Sequence, residues 1–473
     1  MDLKNLGPQI TIANLFSPLG KKWNHTFLPL GSLYIVAALE RAGIPVNFRD
    51  YQVANSGQNP YQVENVAAFL RDENPILGVG LMAPMLPFLL KALETVKARD
   101  PGKIVVLGGT GVTGVGEAII REFPQVDIVV HGEGEETAVE LFRALLDRRP
   151  LNDIAGISYR QDGRAVTNPP RAMIQDLNAV SPPAHGIVDL SCYKVVSCLS
   201  ARGCPFKCTY CYSSMFWKRY RPRSIVALID EIEGILRQTG GDNISILDDT
   251  FVLEPARVLE FCSELQRRRL ALKWTCFGRV GLMKPELLEA IKDAGCTGVG
   301  FGVESGSNEI LARIKKGYTR EAAIDTIRLT AKYFRNMEMF FMYGFPFEER
   351  RHFEETISLV ELLRAELVEQ QGINARFSFN LLAAVPGTEL TREFRSLMRP
   401  LELHKASLYS HEDKRAMMKR PYFILPSPNA RWLPQMIADH PDIFSGFYCF
   451  ENPDLGYKAR FLWKNQRRYR ARK

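Results

Sequence analysis

Three cysteines share one short loop: Cys204, Cys208 and Cys211, in ARGCPFKCTYCY, spaced C-x3-C-x2-C directly after the apolar run Val195–Ser200. Thiolates are soft ligands suited to iron–sulfur assembly, and three of them can hold three irons of a four-iron, four-sulfur cluster. The fourth iron then has no cysteine from this motif, an open position of the kind catalytic zinc sites keep for water or substrate. The competing readings are a structural zinc site completed by a distant ligand, or three ordinary cysteines. Cys192, Cys198, Cys262, Cys276, Cys296 and Cys449 repeat no chelating spacing and read as packed thiols. Nine cysteines in 473 residues are too sparse for a disulfide scaffold.

The pattern that must position this loop is β/α. From Val195 onward the runs VVSCLSA, NISILDD, KWTCFGR, TGVGFGV, MFFMYGF and FSFNLLA alternate with helical periodicity. Six such repeats predict a partial barrel over 191–390 rather than the closed eightfold one. Ahead of it, ITIANLF (10–16), PVNFRDY (45–51), ILGVGLM (76–82), KIVVLGG (103–109) and VDIVVHG (126–132) alternate with helices such as SLYIVAALERAG (32–43). This predicts a doubly wound parallel sheet over 1–150. Ligands on such sheets lie outside the carboxyl ends of the strands. Those ends carry Leu81-Met82-Ala83-Pro84, Gly108-Gly109-Thr110-Gly111 and Gly132-Glu133-Gly134. Residues 151–190, with two Pro-Pro pairs, read as a linker, and 391–473 as a small α-rich C-terminal region. The fold class is α/β.

Charge excludes some partners. There are 61 basic and 53 acidic residues, but Gly456–Lys473 alone hold eight basic and no acidic ones, so the chain before them is neutral. A body built to lie along nucleic acid is excluded. The tail KARFLWKNQRRYRARK mixes basic and aromatic residues, so it either docks an acidic protein or nucleic acid or is a solvated terminal helix. The hydrophobic content of 46% excludes disorder as the main state. The longest uncharged stretch, Asn74–Leu90, is broken by Pro75, Pro84 and Pro87 and is too short for a membrane span. The start MDLKNLGPQITIANLF lacks an export pattern, so the expected location is cytoplasmic.

With Tyr210 before its last cysteine, the cysteine motif resembles the signature of the radical S-adenosylmethionine (SAM) superfamily, and the likeness continues strand by strand to about residue 390. It implies a four-iron, four-sulfur cluster on Cys204, Cys208 and Cys211, with SAM on the open iron and an electron donor of flavodoxin or ferredoxin type. ILDDTF (246–251) is similar to the acidic motif that receives the SAM amino group, at Asp248 or Asp249. FGVESGS (301–307) is similar to the segment with ribose and carboxylate contacts, implying Glu304 and Ser305. YGFPFE (343–348) resembles the adenine loop, implying Tyr343 and Gly344, and VPGTEL (385–390) the loop after the sixth strand. Arg279 is either the donor to the SAM carboxylate or a partner for a nearby acid. Singly, each motif also reads as a cap or turn; their order after the cysteines favours the functional reading.

The N-terminal half resembles a cobalamin-binding domain through FLPLGSLYIVAALERAGIPVNFRDY (27–51), LGGTGVTG (107–114) and VVHGEGEETAVELF (129–142). Its glycines would let backbone approach a flat ring or nucleotide tail. Leu81, Met82, Ala83, Gly108, Gly109, Thr110, Gly111, Thr113, Gly132, Glu133 and Gly134 are the implied contacts. One departure is informative: no Asp-x-His-x-x-Gly loop is present, so no His would sit below cobalt, and the lower face would lie against Leu81–Met85. His25 and His131 read as ordinary polar contacts. A Rossmann reading is poor, because the first strand ends in FSPLGKKW rather than G-x-G-x-x-G.

Together the two likenesses imply a cobalamin-dependent radical SAM enzyme. The expected reaction is methyl transfer from methylcobalamin to a carbon radical, at an sp3 carbon. A protein or peptide side chain such as glutamine is the preferred substrate, similar to the glutamine C-methyltransferase of methyl-coenzyme M reductase. Alternatives are a non-methylating rearrangement or cyclisation, and a non-catalytic carrier or sensor. Tyr409, His411, Tyr422, Arg431 and Trp432 are candidates to close the site, each also readable as packing.

Overall fold

Strands covered on both faces need continuous apolar runs, and the N-terminal half has them. The computed structural model describes residues 9–17, 26–401, 430–465 and 468–469, which form two compact units. In the first, β1 (Ile10–Leu15), β2 (Val46–Asp50), β3 (Ile76–Leu81), β4 (Ile104–Gly108) and β5 (Ile128–Val130) are parallel in the order β2-β1-β3-β4-β5. This is the flavodoxin-like arrangement, with its switch point between β1 and β3. Every residue of β1 is buried, and the helix Leu30–Arg41 covers the sheet with Leu33, Val36 and Leu39.

The expected linker is partly structural. Within it β6 (Ile157–Gln161) and β7 (Arg164–Thr167) form a hairpin that extends the sheet antiparallel beyond β5. Asp162 and Gly163 make its two-residue turn at φ 50° and 77°, the left-handed pair that an Asp-Gly sequence favours. The C-terminal region is also divided. Residues 430–447 belong to the first unit, where the Trp432 ring packs edge-on against Phe88 at 5.8 Å. Tyr409, His411 and Tyr422, like His25, lie outside the described residues.

The second unit is the expected partial barrel. Introduced in chain order, its strands are β8 (Ser197–Cys198), β9 (Ala201–Arg202), β10 (Arg221–Pro222), β11 (Asn243–Ile246), β12 (Lys273–Gly278), β13 (Cys296–Glu304), β14 (Asn336–Tyr343) and β15 (Asn374–Leu381). Six of them form one parallel sheet, β15-β14-β13-β12-β11-β8, while β9 and β10 pair separately. Helices such as Ile225–Thr239 and Pro255–Arg267 cover it, with Phe251, Phe261 and Trp274 packed edge-to-face at 5.2–5.5 Å. Trp274 Nε1 donates to Ala294 O at 2.8 Å, so the ring is buried without an orphan donor.

In the described part of the basic tail one face packs on the second unit, while Arg460, Lys464 and Arg468 stay exposed. Helix Leu455–Asn465 lays Phe461 on Phe353 at 5.8 Å, and Tyr469 donates to Glu361 at 3.1 Å. Lys458 is fully buried, with Nζ 2.9 Å from Glu348 Oε2 and 2.8 Å from Glu348 O. Removing one partner of a buried ion pair strands the other charge. Lys458→Met should therefore lower the stability of the second unit by roughly 3–5 kcal/mol in urea unfolding, and Lys458→Met with Glu348→Leu should recover part of the loss. An unchanged midpoint in the single variant would contradict the pairing.

Candidate active site

The cysteine loop is positioned from below by a buried carboxylate. Asp248, just past the end of β11, accepts from Ser200 N at 2.7 Å, from Ala201 N at 3.2 Å and from the Ser200 hydroxyl. Arg257 adds bonds to Ser200 Oγ at 3.0 Å and Ser200 O at 2.7 Å. Burial pushes the Asp248 carboxyl up to about 6. Gly203 follows at φ 83°, where a Cβ would collide with the Arg219 carbonyl.

The three thiols are free; Cys208 is buried, Cys204 and Cys211 half-buried. Cys204 Sγ lies 3.5 Å from Thr250 Oγ1, and Cys211 N donates to Cys208 O at 3.0 Å. Burial raises the Cys211 thiol above its ordinary value, so a thiolate there needs a counter-charge of the kind iron supplies. Among the described residues no three His, Cys, Asp or Glu side chains gather as ligands of a single ion would. A cubane sets no such demand, since each thiolate binds its own corner iron. The donor set therefore suits a cluster.

Around this loop the structure brings some candidates together and turns others away. Of the two aspartates, Asp248 is engaged in the tether, whereas Asp249 is exposed, its carboxylate accepting from the Ser213 hydroxyl and its carbonyl from Thr250 Oγ1 at 2.7 Å. Glu304 ends β13 at φ 69°, beside a register shift between Gly302 and Glu304. Its Oε1 lies 2.9 Å from Lys316 Nζ, and that ammonium is 3.2 Å from Tyr210 Oη, inside the cysteine motif. Arg279 stacks on Phe206 of the cysteine loop, guanidinium to ring centroid 3.4 Å, and donates to Lys316 O. Among its described contacts, to two rings and a carbonyl, none is to an acid, so the pairing with a nearby acid is not seen.

Ser305 is placed differently. Its hydroxyl meets Thr356 Oγ1 at 3.1 Å and accepts from Ser307 N at 3.1 Å, holding a fully buried turn. Tyr343 is buried, and Gly344 at φ 87° donates its N–H to Glu348 Oε2 at 2.8 Å. Glu348 Oε1 is buried without a partner, which leaves one unmatched acceptor in this loop. Lys316, Tyr318 and Phe206 were not singled out by sequence. Tyr318 donates to Gly302 O at 2.6 Å, and only the turn signal of Gly317, at φ 78°, marks this segment.

In the first unit, Met82 is 42% exposed and Ala83 and Pro84 are half-buried, so an apolar shelf stands at the carboxyl end of β3. Two glycines serve the chain itself. A Cβ on Gly111 would lie 2.7 Å from Ala83 N and 2.9 Å from Leu81 O, and one on Gly134 would lie 2.9 Å from Ile35 Cδ1. Gly132 (φ 71°) has open space where a Cβ would be; Gly108 has only the ordinary contact of Val130; and Gly109 (φ 92°) backs onto Leu81 O. Thr110 is exposed beside them. Thr113 donates to Gly109 O at 3.1 Å, and Glu133 accepts from Ile174 N at 3.0 Å, so both bind their own chain. His131 Nε2 meets Ser158 Oγ at 2.8 Å, and burial lowers its pKa, which makes it a neutral structural contact. The shelf, apolar and without an imidazole, fits a corrin face better than a polar ligand.

Fold and site together define an iron–sulfur enzyme carrying a corrinoid-type domain. Residues 199–360 match the Radical SAM superfamily and residues 17–142 the B12 binding domain. The chain is 30% identical over 369 residues to an uncharacterized methyltransferase of Pyrococcus horikoshii, covering 76% of this chain and 77% of that one. It is also 30% identical over 300 residues to the anaerobic magnesium-protoporphyrin IX monomethyl ester cyclase of Rubrivivax gelatinosus, covering 60% of this chain and 53% of that protein, about half its length. The fold is shared with the radical SAM methyltransferase TsrM from Kitasatospora setae, solved with tryptophan substrate and the SAM analog aza-SAM: TM-score 0.68, 18% identity, covering 92% and 88% of the two chains. The chain belongs to the cobalamin-dependent radical SAM methyltransferases, whose cofactors are a [4Fe-4S] cluster, SAM and cobalamin. Among the described residues no helix is long and apolar enough to cross a membrane.

The two aspartates should separate experimentally. Asp248→Asn loses a buried acceptor and should destabilise the unit by about 1–3 kcal/mol with loss of bound iron. Asp249→Asn should retain iron while binding SAM about tenfold or more weakly. Equal behaviour of the two variants would refute the division of roles.

Proposed function

We propose that this chain methylates a carbon of a small organic molecule, at an sp3 centre. The observation that supports a SAM site in this reading is the contact of Arg279 with Phe206, and of the buried Glu304–Lys316 pair with Tyr210, within the loop of Cys204, Cys208 and Cys211. When bound, the reduced cluster and SAM supply a 5'-deoxyadenosyl radical that removes hydrogen from the substrate carbon, and cobalamin relays the methyl of a second SAM to it.

The residues divide this work by chemistry. Cys204, Cys208 and Cys211 hold the cluster. Asp249, open to solvent, accepts the SAM ammonium, and Arg279, already oriented by Phe206, donates to its carboxylate. Glu304, acceptor-only when ionised, takes the ribose hydroxyls. The loop Tyr343–Glu348 faces the adenine. Leu81–Met85, Gly108, Gly109, Thr110 and Gly132 would hold the corrinoid. A ferredoxin or flavodoxin would supply two electrons per methylation, one to cleave SAM and one to return the corrinoid to the reduced state that the second SAM methylates.

Substrate class rests on the relatives. The substrates named for them, tryptophan and a magnesium-porphyrin ester, are small molecules, which favours that class over a glutamine side chain. The likeness to the cyclase keeps a second reading, ring formation without methyl transfer.

Anaerobically reconstituted protein, given reductant and SAM with a trideuterated methyl group, should release 5'-deoxyadenosine. With a substrate-containing small-molecule extract it should also give S-adenosylhomocysteine and a product carrying the label. Cys208→Ala should abolish 5'-deoxyadenosine and still bind cobalamin. An unlabelled product with one new ring would select cyclisation; label confined to protein would select the side-chain substrate. Cleavage by the iron-free variant would defeat the reading altogether.

A further inference from the structure

The segment Ile314–Lys316, between helix Asn308–Arg313 and Gly317, makes bonds that the functions assigned so far leave unexplained. Its three successive carbonyls point at three different groups around the cysteine loop. Ile314 O accepts from Thr209 N at 3.2 Å, Lys315 O lies 3.9 Å from the Cys208 thiol, and Lys316 O accepts from Arg279 Nη2. From the same segment the Lys316 side chain turns inward to Glu304 and Tyr210. Lys316 is 7% exposed. Room for it is made by Gly302, where a Cβ would sit 2.5 Å from Glu304 Oε1 and 3.2 Å from Lys316 Nζ.

A buried ion pair is a poor means of stabilisation, since well-packed apolar residues usually do as well or better. Pairing does, however, fix a carboxylate in one rotamer and keep it an acceptor. We propose that Lys316 is a positioning residue of the SAM site: it orients the Glu304 carboxylate toward the ribose and locks it to Tyr210, so that SAM affinity depends on it although it need not touch SAM. This deepens the reading above and rests on Glu304 being a SAM contact.

The test uses the full chain with cluster and cobalamin reconstituted, comparing wild type, Lys316→Met, Lys316→Arg and Tyr210→Phe. Three quantities are measured: iron content, cobalamin content, and the SAM concentration that half-converts the EPR spectrum of the reduced cluster to its SAM-bound form. Lys316→Met should keep wild-type iron and cobalamin while half-conversion moves about tenfold or more to higher SAM. Lys316→Arg should restore most of that loss, and Tyr210→Phe, which removes one bond, should show a smaller shift in the same direction. Wild-type SAM affinity in Lys316→Met would overturn the proposal. So would iron loss in Lys316→Met that Lys316→Arg does not prevent, because the residue would then only brace the cluster loop. A wild-type spectrum indifferent to SAM would instead sink the underlying SAM reading, and the proposal with it.

Discussion

Three carboxylates beyond or at the carboxyl ends of barrel strands are buried, and each must be matched inside the protein. Asp248 after β11 is matched by Ser200 and Ala201; Glu304 at the end of β13 by Lys316; Glu348 after β14 by Lys458 and Gly344 N. A buried charge left unmatched costs several kcal/mol, so the loops bearing these partners are not independent of the strands they follow. The cysteine loop is tied to β11, the segment Ile314–Lys316 to β13, and the C-terminal helix to the loop after β14. Matched carboxylates thus tie together the loops at that end of the barrel.

This constraint also explains what could be read from sequence. The cysteine spacing and the strand-ending motifs were legible because strand periodicity is local and the residues that do chemistry follow the strands directly. The choice between Asp248 and Asp249 was not, since adjacent residues at a strand end point to opposite sides and only tertiary structure decides which one meets Ser200. Lys316 was invisible because its partners are 12 and 106 residues away. The β6–β7 hairpin was legible in principle: Asp162-Gly163 between short apolar runs is a strong hairpin signal, and the Pro-Pro pairs that follow it masked the reading. Composition also could not show that one residue of the tail, Lys458, is buried against an acid.

Glycines in the first unit carry a related lesson. A glycine at a strand's carboxyl end suggests close approach of a ligand, yet Gly111 and Gly134 are explained by Ala83 and Ile35 of the same chain. Gly111 lets the loop after β4 sit directly against Leu81–Ala83 at the carboxyl end of β3. Gly132, with open surroundings, is explained by its backbone instead, since φ 71° is a conformation that favours glycine.

Glu304 brings both lessons to one residue. A non-glycine residue at φ 69° costs on the order of 1–3 kcal/mol and persists only where its surroundings over-determine it. Here the surroundings do so: the shifted register of β13 re-aims the side chain, Gly302 leaves space for it, and Lys316 captures it. Glycine or asparagine would hold the same backbone at lower cost. A glutamate there gains nothing for the fold that these residues would not supply, and what it adds is a carboxylate paired with Lys316. Strain, bulge and buried lysine thus act as one device for presenting a single charge beside the cysteine loop.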